Sequence, residues 1–256
     1  MTELLESRHP ASPAHNLLTQ AGTLTVSIAC DANEIDQALR LRYRVFADEL
    51  GARIKSQAGI DRDIFDAYCE HVVVRDTARD EVVGTYRVLL PNRARALGQL
   101  YCDDEFWLTR LNPIRDELVE LGRSCVHPDY RSGGVIMLLW TGIAELLSRT
   151  DCHYLIGCAS VSIRDGGAVA ANLYRQLAAT HLADESLRVW PRERLAIEDH
   201  APAGPVAVPA LVKGYLRAGA SLLGEPHRDS EFVCADFPLL LQVDRLSRRY
   251  QRRFMT

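Results

Sequence analysis

Lysine is nearly missing from this chain. Lys55 and Lys213 are the only two, so almost all of the 30 basic residues are arginines. The planar guanidinium fork suits carboxylate and phosphate partners better than a compact ammonium does. A surplus of positive charge is lacking too. The formal net charge of −4 removes any whole-molecule electrostatic case for nucleic acid. The seven cysteines are odd in number and contain no Cys-x-x-Cys pair. That excludes zinc-type spacing and a disulfide framework, and implies reduced thiols in a cytoplasmic protein. No set of metal ligands stands out. No apolar signal core opens the sequence, so export is not expected. The longest apolar run, Gly133–Ile143, falls short of the about 20 residues a membrane-spanning helix needs. There is no internal repeat.

What remains has the composition of a globular protein. The 256 residues are 47% hydrophobic and 25% charged, enough for one sizeable core with an added lobe. Residues 1–22 are polar and Pro-containing and read as a tail. Leu24–Cys30 alternates as a strand. Asp31 or Asn33 then caps a helix from Glu34 that Gly51 closes. A polar loop carries Asp61, Asp63 and Asp66. His71–Asp76 and Glu81–Pro91 form a hairpin. A loop with a short helix (Leu97–Glu105) and a turn (Asn112–Asp116) lead to the strand Val119–Val126. The apolar helix Val135–Leu147, the strand His153–Val161 and the helix Gly167–Ala179 follow. Prolines 191, 202, 205 and 209 mark loops. Leu211–Leu223 reads as helix, Glu231–Val243 as a last strand and residues 246–256 as a basic tail. Hairpins first, then strands alternating with helices, predict an α+β fold with a mixed sheet.

The most informative stretch is VELGRSCVHPDYRSGG, residues 119–134. Glu120 and Arg123 interrupt an apolar strand. Strand side chains alternate between faces, so an i, i+3 pair points opposite ways unless a bulge intervenes. Arg131, Gly133 and Gly134 then precede a helix. Two readings fit them. One is an anion cradle, where unpaired N–H groups and glycines let a phosphate approach closely. The other is a plain strand–helix turn.

This strand and loop, the apolar helix, the next strand and a helix carrying Asn172-Leu173-Tyr174 resemble the GCN5-related N-acyltransferase fold. In that fold the loop holds the phosphates or phosphopantetheine of an acyl-thioester donor. Arg131 and Gly134 match its Arg/Gln-x-x-Gly-x-Gly/Ala pattern, while Ile136 replaces the last small residue, which leaves a bare phosphopantetheine arm open as the donor group. RYRVFADELG (42–51), the spacing of Asp61, Asp63 and Asp66, VVGTYRVLLP (82–91) and Glu120-x-x-Arg123 resemble, in order, the acyl-homoserine lactone synthases. Those enzymes take acyl groups from acyl carrier protein. Ala52 stands where they usually have Trp. The runs GRSCVHPDYRSGG, LLWTGIAELL, YLIGCASV, PALVKGYLRAGA and DFPLLL are more similar to the bacterial ornithine N-acyltransferases, over residues 24–245. This resemblance implies a mixed sheet flanked by helices with a C-terminal elaboration. It implies transfer of a (3-hydroxy)acyl group from acyl carrier protein to the α-amine of L-ornithine, giving lyso-ornithine lipid, with no bound cofactor. The alternatives are another acceptor (glycine, lysine or tyrosine), a lactone synthase, or a non-catalytic module that binds acyl carrier protein or lipid.

Aminolysis of a thioester needs a base, an oxyanion donor and a proton for the leaving thiolate. By resemblance Glu120 is the candidate base, Tyr174 the proton donor, and a backbone N–H near Cys125–His127 the oxyanion donor. Asp61, Asp63, Asp66, Arg87, Arg123 and Phe46 are candidates for the acceptor. Val126, His127, Arg131, Ser132, Gly133 and Gly134 would hold the phosphopantetheine. Structural readings stand beside these: a Glu120–Arg123 ion pair, a core tyrosine, aspartates used as turns and caps, and Arg44 bracing the acidic loop. The family commonly has a bulge in this strand, which would bring Glu120 and Arg123 to one face. Cys125 lacks an orienting triad and reads as a core thiol. Arg245, Arg248, Arg249, Arg252 and Arg253 form a basic cluster suited to acidic lipid headgroups or to acyl carrier protein, or simply a solvated tail.

Overall fold

The computed structural model describes residues 17–56 and 58–246. In chain order the elements are β1 (Leu17–Ala21), β2 (Leu24–Ile28), α1 (Ala32–Tyr43), β3 (Glu70–Asp76), β4 (Glu81–Leu89), α2 (Pro91–Leu97), α3 (Cys102–Glu105), β5 (Phe106–Trp107) and β6 (Leu118–Val126). They continue with α4 (Gly134–Leu147), β7 (Tyr154–Ser162), α5 (Ala168–His181), β8 (Trp190–Pro191), α6 (Ala210–Ala218), β9 (Ser221–Leu222), β10 (His227–Asp229) and β11 (Cys234–Gln242). The main sheet runs β1-β2-β3-β4-β6-β7-β11-β10, with β9 also on β11, while β5 and β8 pair separately. All its ladders are antiparallel except β6–β7. The sheet is therefore mixed and the fold α+β.

Local chemistry explains most boundaries. The Asp31 carboxylate accepts the Glu34 N–H at 2.8 Å and starts α1. The helix runs on as a π-helical turn, Arg44–Glu49, and stops at Gly51, whose φ is 72°. Two expectations need correction. Residues 17–21 pair with β2, so they belong to the sheet and not to a tail. The helix expected over 211–223 ends at Ala218, because Gly219 adopts φ 110° and terminates it, and Ser221–Leu222 then joins β11. Residues 1–16 and 247–256, and with them Arg248, Arg249, Arg252 and Arg253, lie outside the described residues.

Alternation along the strands gives the sheet two apolar faces. Val26, Val72, Val74, Val88, Val119 and Leu121 meet Val135, Leu139 and Ile143 of α4. On that same face Ala159, Val161, Ala235 and Phe237 meet α5. The opposite face takes α1 through Val73, Val82 and Cys125. It also takes the 91–117 segment through Leu89, Leu118, Ile156 and Leu240. Helix α4 sits close because glycines face it. A Cβ on Gly84 would collide with Val135, and one on Gly142 would lie 2.7 Å from Val26 and 2.9 Å from Val72. No helix among the described residues is long and apolar enough to cross a membrane.

Candidate active site

The parallel β6–β7 ladder is short. It pairs Leu118, Val119 and Glu120 with Tyr154, Leu155 and Ile156, then stops. Beyond it β6 follows β4 and β7 follows β11, so a wedge opens in the middle of the sheet. Backbone groups on that edge of β6 have no strand to receive them, which is where a donor arm can hydrogen-bond.

A bulge sits at the mouth of the wedge. Thr85 pairs with Cys125 and Arg87 with Gly122, so β6 carries one extra residue. Arg123 takes it up with φ 50°, a conformation that costs about 1–2 kcal/mol for a non-glycine residue. Its side chain swings to the α1 face, and its guanidinium stacks on Tyr101 (4.8 Å) and Phe232 (4.4 Å). Glu120 and Arg123 thus line one cavity of about 230 Å³. This cavity passes through the sheet. Arg87, Glu120 and Asp236 line it from the α1 side, and Tyr86, Ser124 and Tyr215 from the α4 side.

The two residues do not pair with each other. Glu120, 4% exposed, accepts the N–H groups of Tyr101 and Cys102 at 2.7 Å each. Burial raises its pKa, against the pull of these bonds. Each oxygen thus holds one N–H of the turn into α3, and the side chain lines the cavity.

None of the acidic triplet lines the cavity. Fully buried Arg42 reaches Asp61 at 2.8 Å and Asp66 at 2.6 Å. Arg87 grips Asp63 at 2.6 Å and meets Asp66 at 3.3 Å. Arg123 lies 3.3 Å from Asp61 and 3.4 Å from Asp63. Asp63 and Asp66 also form a reciprocal capping box. The aspartates brace Arg87 and Arg123, which do face the cavity. Arg44, expected in this bracing, is exposed and meets Glu81 instead. Phe46 lines the cavity and packs edge-on against Phe232 at 5.8 Å.

Tyr174 lies away from the cavity, packed on the α5 side with the apolar cluster there. Tyr86, Tyr101 and Tyr215 line the cavity; Tyr86 and Tyr215 are hydrogen-bonded through their hydroxyls and packed edge-on against Trp140. Burial pushes Tyr86 up to about 12 and Tyr215 well above the ordinary tyrosine range, so both remain protonated donors. The His127 N–H is spent on Val83 O at 2.9 Å, which removes it as oxyanion donor. Cys125 is buried and burial raises it to about 12, a core thiol. All seven cysteines are free.

In the loop before α4, Arg131 forms a two-point pair with Glu49 at 2.5 and 2.7 Å and reaches Val126 O at 3.1 Å. His127 stacks on Tyr130 at 5.7 Å. Ser132 is exposed, and Gly133 begins α4 with φ 102° ahead of Gly134.

Three acids missed in the sequence share the cavity: Glu105, Asp229 and Asp236. None makes an ion pair among the described residues. Burial drives Glu105 well above the carboxylate range, reinforced by Asp236, and drives Asp236 itself to about 6. The available signal was an aspartate in the middle of the apolar strand CADFPLLLQ.

Comparison with known proteins agrees with this geometry. Residues 41–141 match the Acetyltransferase (GNAT) domain model. A solved N-acyl amino acid synthase from uncultured soil microbes superposes with TM-score 0.54 at 13% identity, over 91% of this chain and 95% of that one. A CoA-dependent acyl-homoserine lactone synthase gives TM-score 0.51 at 13% identity, over 88% and 83%. These show the fold. In sequence, the chain is 35% identical to the L-ornithine N(alpha)-acyltransferase of Rhodobacter capsulatus, over 90% of this chain and 94% of the relative. It is 36% identical to that of Brucella abortus, over 91% and 89%. The chain belongs to the L-ornithine N(alpha)-acyltransferase family, within the GNAT fold.

Proposed function

We propose that this protein transfers a 3-hydroxyacyl group from acyl carrier protein to the α-amine of L-ornithine, forming lyso-ornithine lipid. One observation carries the reading: the polar cavity at the wedge lies next to an apolar chamber, with a small pocket between them that shares wall residues with both. Leu121 and Tyr215 line both the cavity and the small pocket. Trp140, Leu155 and Leu241 line both that pocket and the chamber, of about 320 Å³, between α4 and the sheet. An acyl chain threaded there is sheltered, at about 0.8 kcal/mol per buried CH₂, while its thioester sits in the wedge.

The chemistry follows from what faces the cavity. Glu105, with its raised pKa and one oxygen free of any donor among the described residues, takes the proton of the α-ammonium. The freed amine attacks the thioester carbon, and the oxyanion is met by N–H groups on the open edge of β6. As the C–S bond breaks, the Tyr86–Tyr215 hydroxyl pair gives a proton to the thiolate and recovers one from the second N–H of the attacking nitrogen, so that both phenols end protonated. Arg123 receives the acceptor carboxylate. A carrier-protein donor is favoured over coenzyme A because Glu49 neutralises Arg131 and Ile136 stands at the third loop position. The partners are then acyl carrier protein and a free amino acid, with no resident cofactor.

The test is mass spectrometry of the purified protein with 3-hydroxyacyl carrier protein and equimolar ornithine, lysine, glycine and tyrosine. A single N-acylornithine product is expected. A product with another amino acid overturns the acceptor, and no product with carrier-protein binding intact favours a binding module.

A further inference from the structure

We infer that Asp229 and Asp236 form a dedicated site for the second, side-chain ammonium of a diamino acid acceptor, and so set acceptor choice. This inference rests on the reading of the protein as an ornithine acyltransferase. Asp229 ends β10 and pairs with Cys234 of β11, and Asp236 lies two residues further along β11, opposite His227. Ligand atoms of Asp229, Cys234 and Asp236 all lie within 4.8 Å of one another, a spacing that one –NH₃⁺ bridges with its three donors.

The donors already present leave room. Asp236, 4% exposed, receives the Ser160 hydroxyl at 2.6 Å on Oδ1 and only the Cys234 thiol at 3.4 Å on Oδ2. Asp229 accepts the Glu231 and Phe232 N–H groups on Oδ1, leaving Oδ2. Neither has a cation within ion-pair distance among the described residues. A second observation points to a ligand. Glu105, also 4% exposed, lines the same cavity, and its Oε1 has no donor among the described residues. Buried carboxylates without a counter-charge are unfavourable. The chain meets this cost elsewhere with arginines in direct contact, as at Asp61, Asp63 and Asp66, whereas here Arg123 acts on Glu105 and Asp236 only from beyond ion-pair distance. An ammonium from the acceptor completes the site. Arg123, which lines the same cavity and is stacked between Tyr101 and Phe232, then takes the carboxylate. The α-amine is left towards the wedge.

The experiment compares ornithine with norvaline, which is ornithine without its terminal amine, in wild type and in Asp236→Asn and Asp229→Asn. The wild type prefers ornithine. In each variant the ratio of kcat/KM for ornithine to that for norvaline falls about 10- to 100-fold, the size of a lost hydrogen bond to a charged group. The fall sits in KM, and the thermal midpoint of the free protein holds or rises, since a buried unpaired charge is removed. Two variants are used because Asp229 is the less buried and is not central to the sheet. Equal loss for both acceptors overturns the proposal, as does a preserved preference for ornithine. So does activity lost to EDTA and restored only by a divalent cation, which would place a metal between the aspartates. A wild type that acylates amino acids but never a diamino acid defeats the functional reading itself, and the proposal with it.

Discussion

Arg42 has no exposed surface, yet the proposed chemistry never uses it. Its guanidinium holds Asp61 and Asp66, which in turn hold Arg87 and Arg123 against the cavity. Leaving those acids buried without their cation costs about 3–5 kcal/mol. Arg42→Met is therefore expected to lose that much in urea unfolding and to raise KM for the acceptor. Asp66 adds a pH signature. Burial alone would raise its pKa, but Arg42 and Arg87 overcome this and hold it well below the carboxylate range. A depressed folded pKa stabilises the fold above the unfolded value of about 3.9 and loses that contribution as pH falls below it. Unfolding free energy measured between pH 5 and 3 should drop steeply in wild type and less in Arg42→Met. A second residue prediction concerns Tyr215. Its hydroxyl faces the wedge beside Tyr86 and stays protonated. Tyr215→Phe should lower kcat by about 10²–10³, the cost of one transition-state donor, with a smaller change in KM for the carrier protein. Single-turnover kinetics would separate the two effects. Such partners were only partly legible. The aspartate spacing singled out this loop, but sequence could not say that arginines already occupied it.

At the scale of elements, β6 does the most. The motif Glu120-x-x-Arg123 identified a strand, and its two charges reach one cavity because a bulge shifts register by one residue. What the motif could not tell was where β7 leaves, because divergence depends on a partner 36 residues away in sequence. Gly157 marks that point: a Cβ there would lie 2.5 Å from the carbonyl oxygen of Leu121. Backbone cannot yield as a flexible side chain would. Gly157→Ala is therefore expected to force β6 and β7 apart and cost about 1–3 kcal/mol, the range for overpacking. It should also slow acyl transfer more than it weakens carrier-protein binding, which calorimetry and turnover measured together would reveal. Helices read well where caps and glycines decide them, as at Asp31 and Gly51. The very short strands β5, β8, β9 and β10 did not, since two or three residues carry no period to read.

Across the whole molecule, the chamber is built from α4, β7, α6 and β11, elements spread over a hundred residues of chain. Each contributes ordinary apolar residues, so nothing in any one segment announced it. The helix Val135–Leu147 and the neighbouring strands were legible as apolar elements, but not as the walls of one chamber. Its depth sets a measurable property. If the acyl chain fills the space beyond Trp140, each two-carbon step buries about 1.6 kcal/mol more, or about 15-fold in affinity, until the floor is reached. Ala144 lines the chamber from α4, and Ala144→Phe would fill part of it while leaving the wedge and its acids in place. In competition among carrier proteins loaded with chains of increasing length, the variant should favour shorter chains, with the longest falling by at least one such step. Turnover on the shortest donor gives the control for folding. An unchanged chain-length profile would mean that the acyl group leaves the wedge by another route, and the chamber would lose its assigned role while the acceptor chemistry stood.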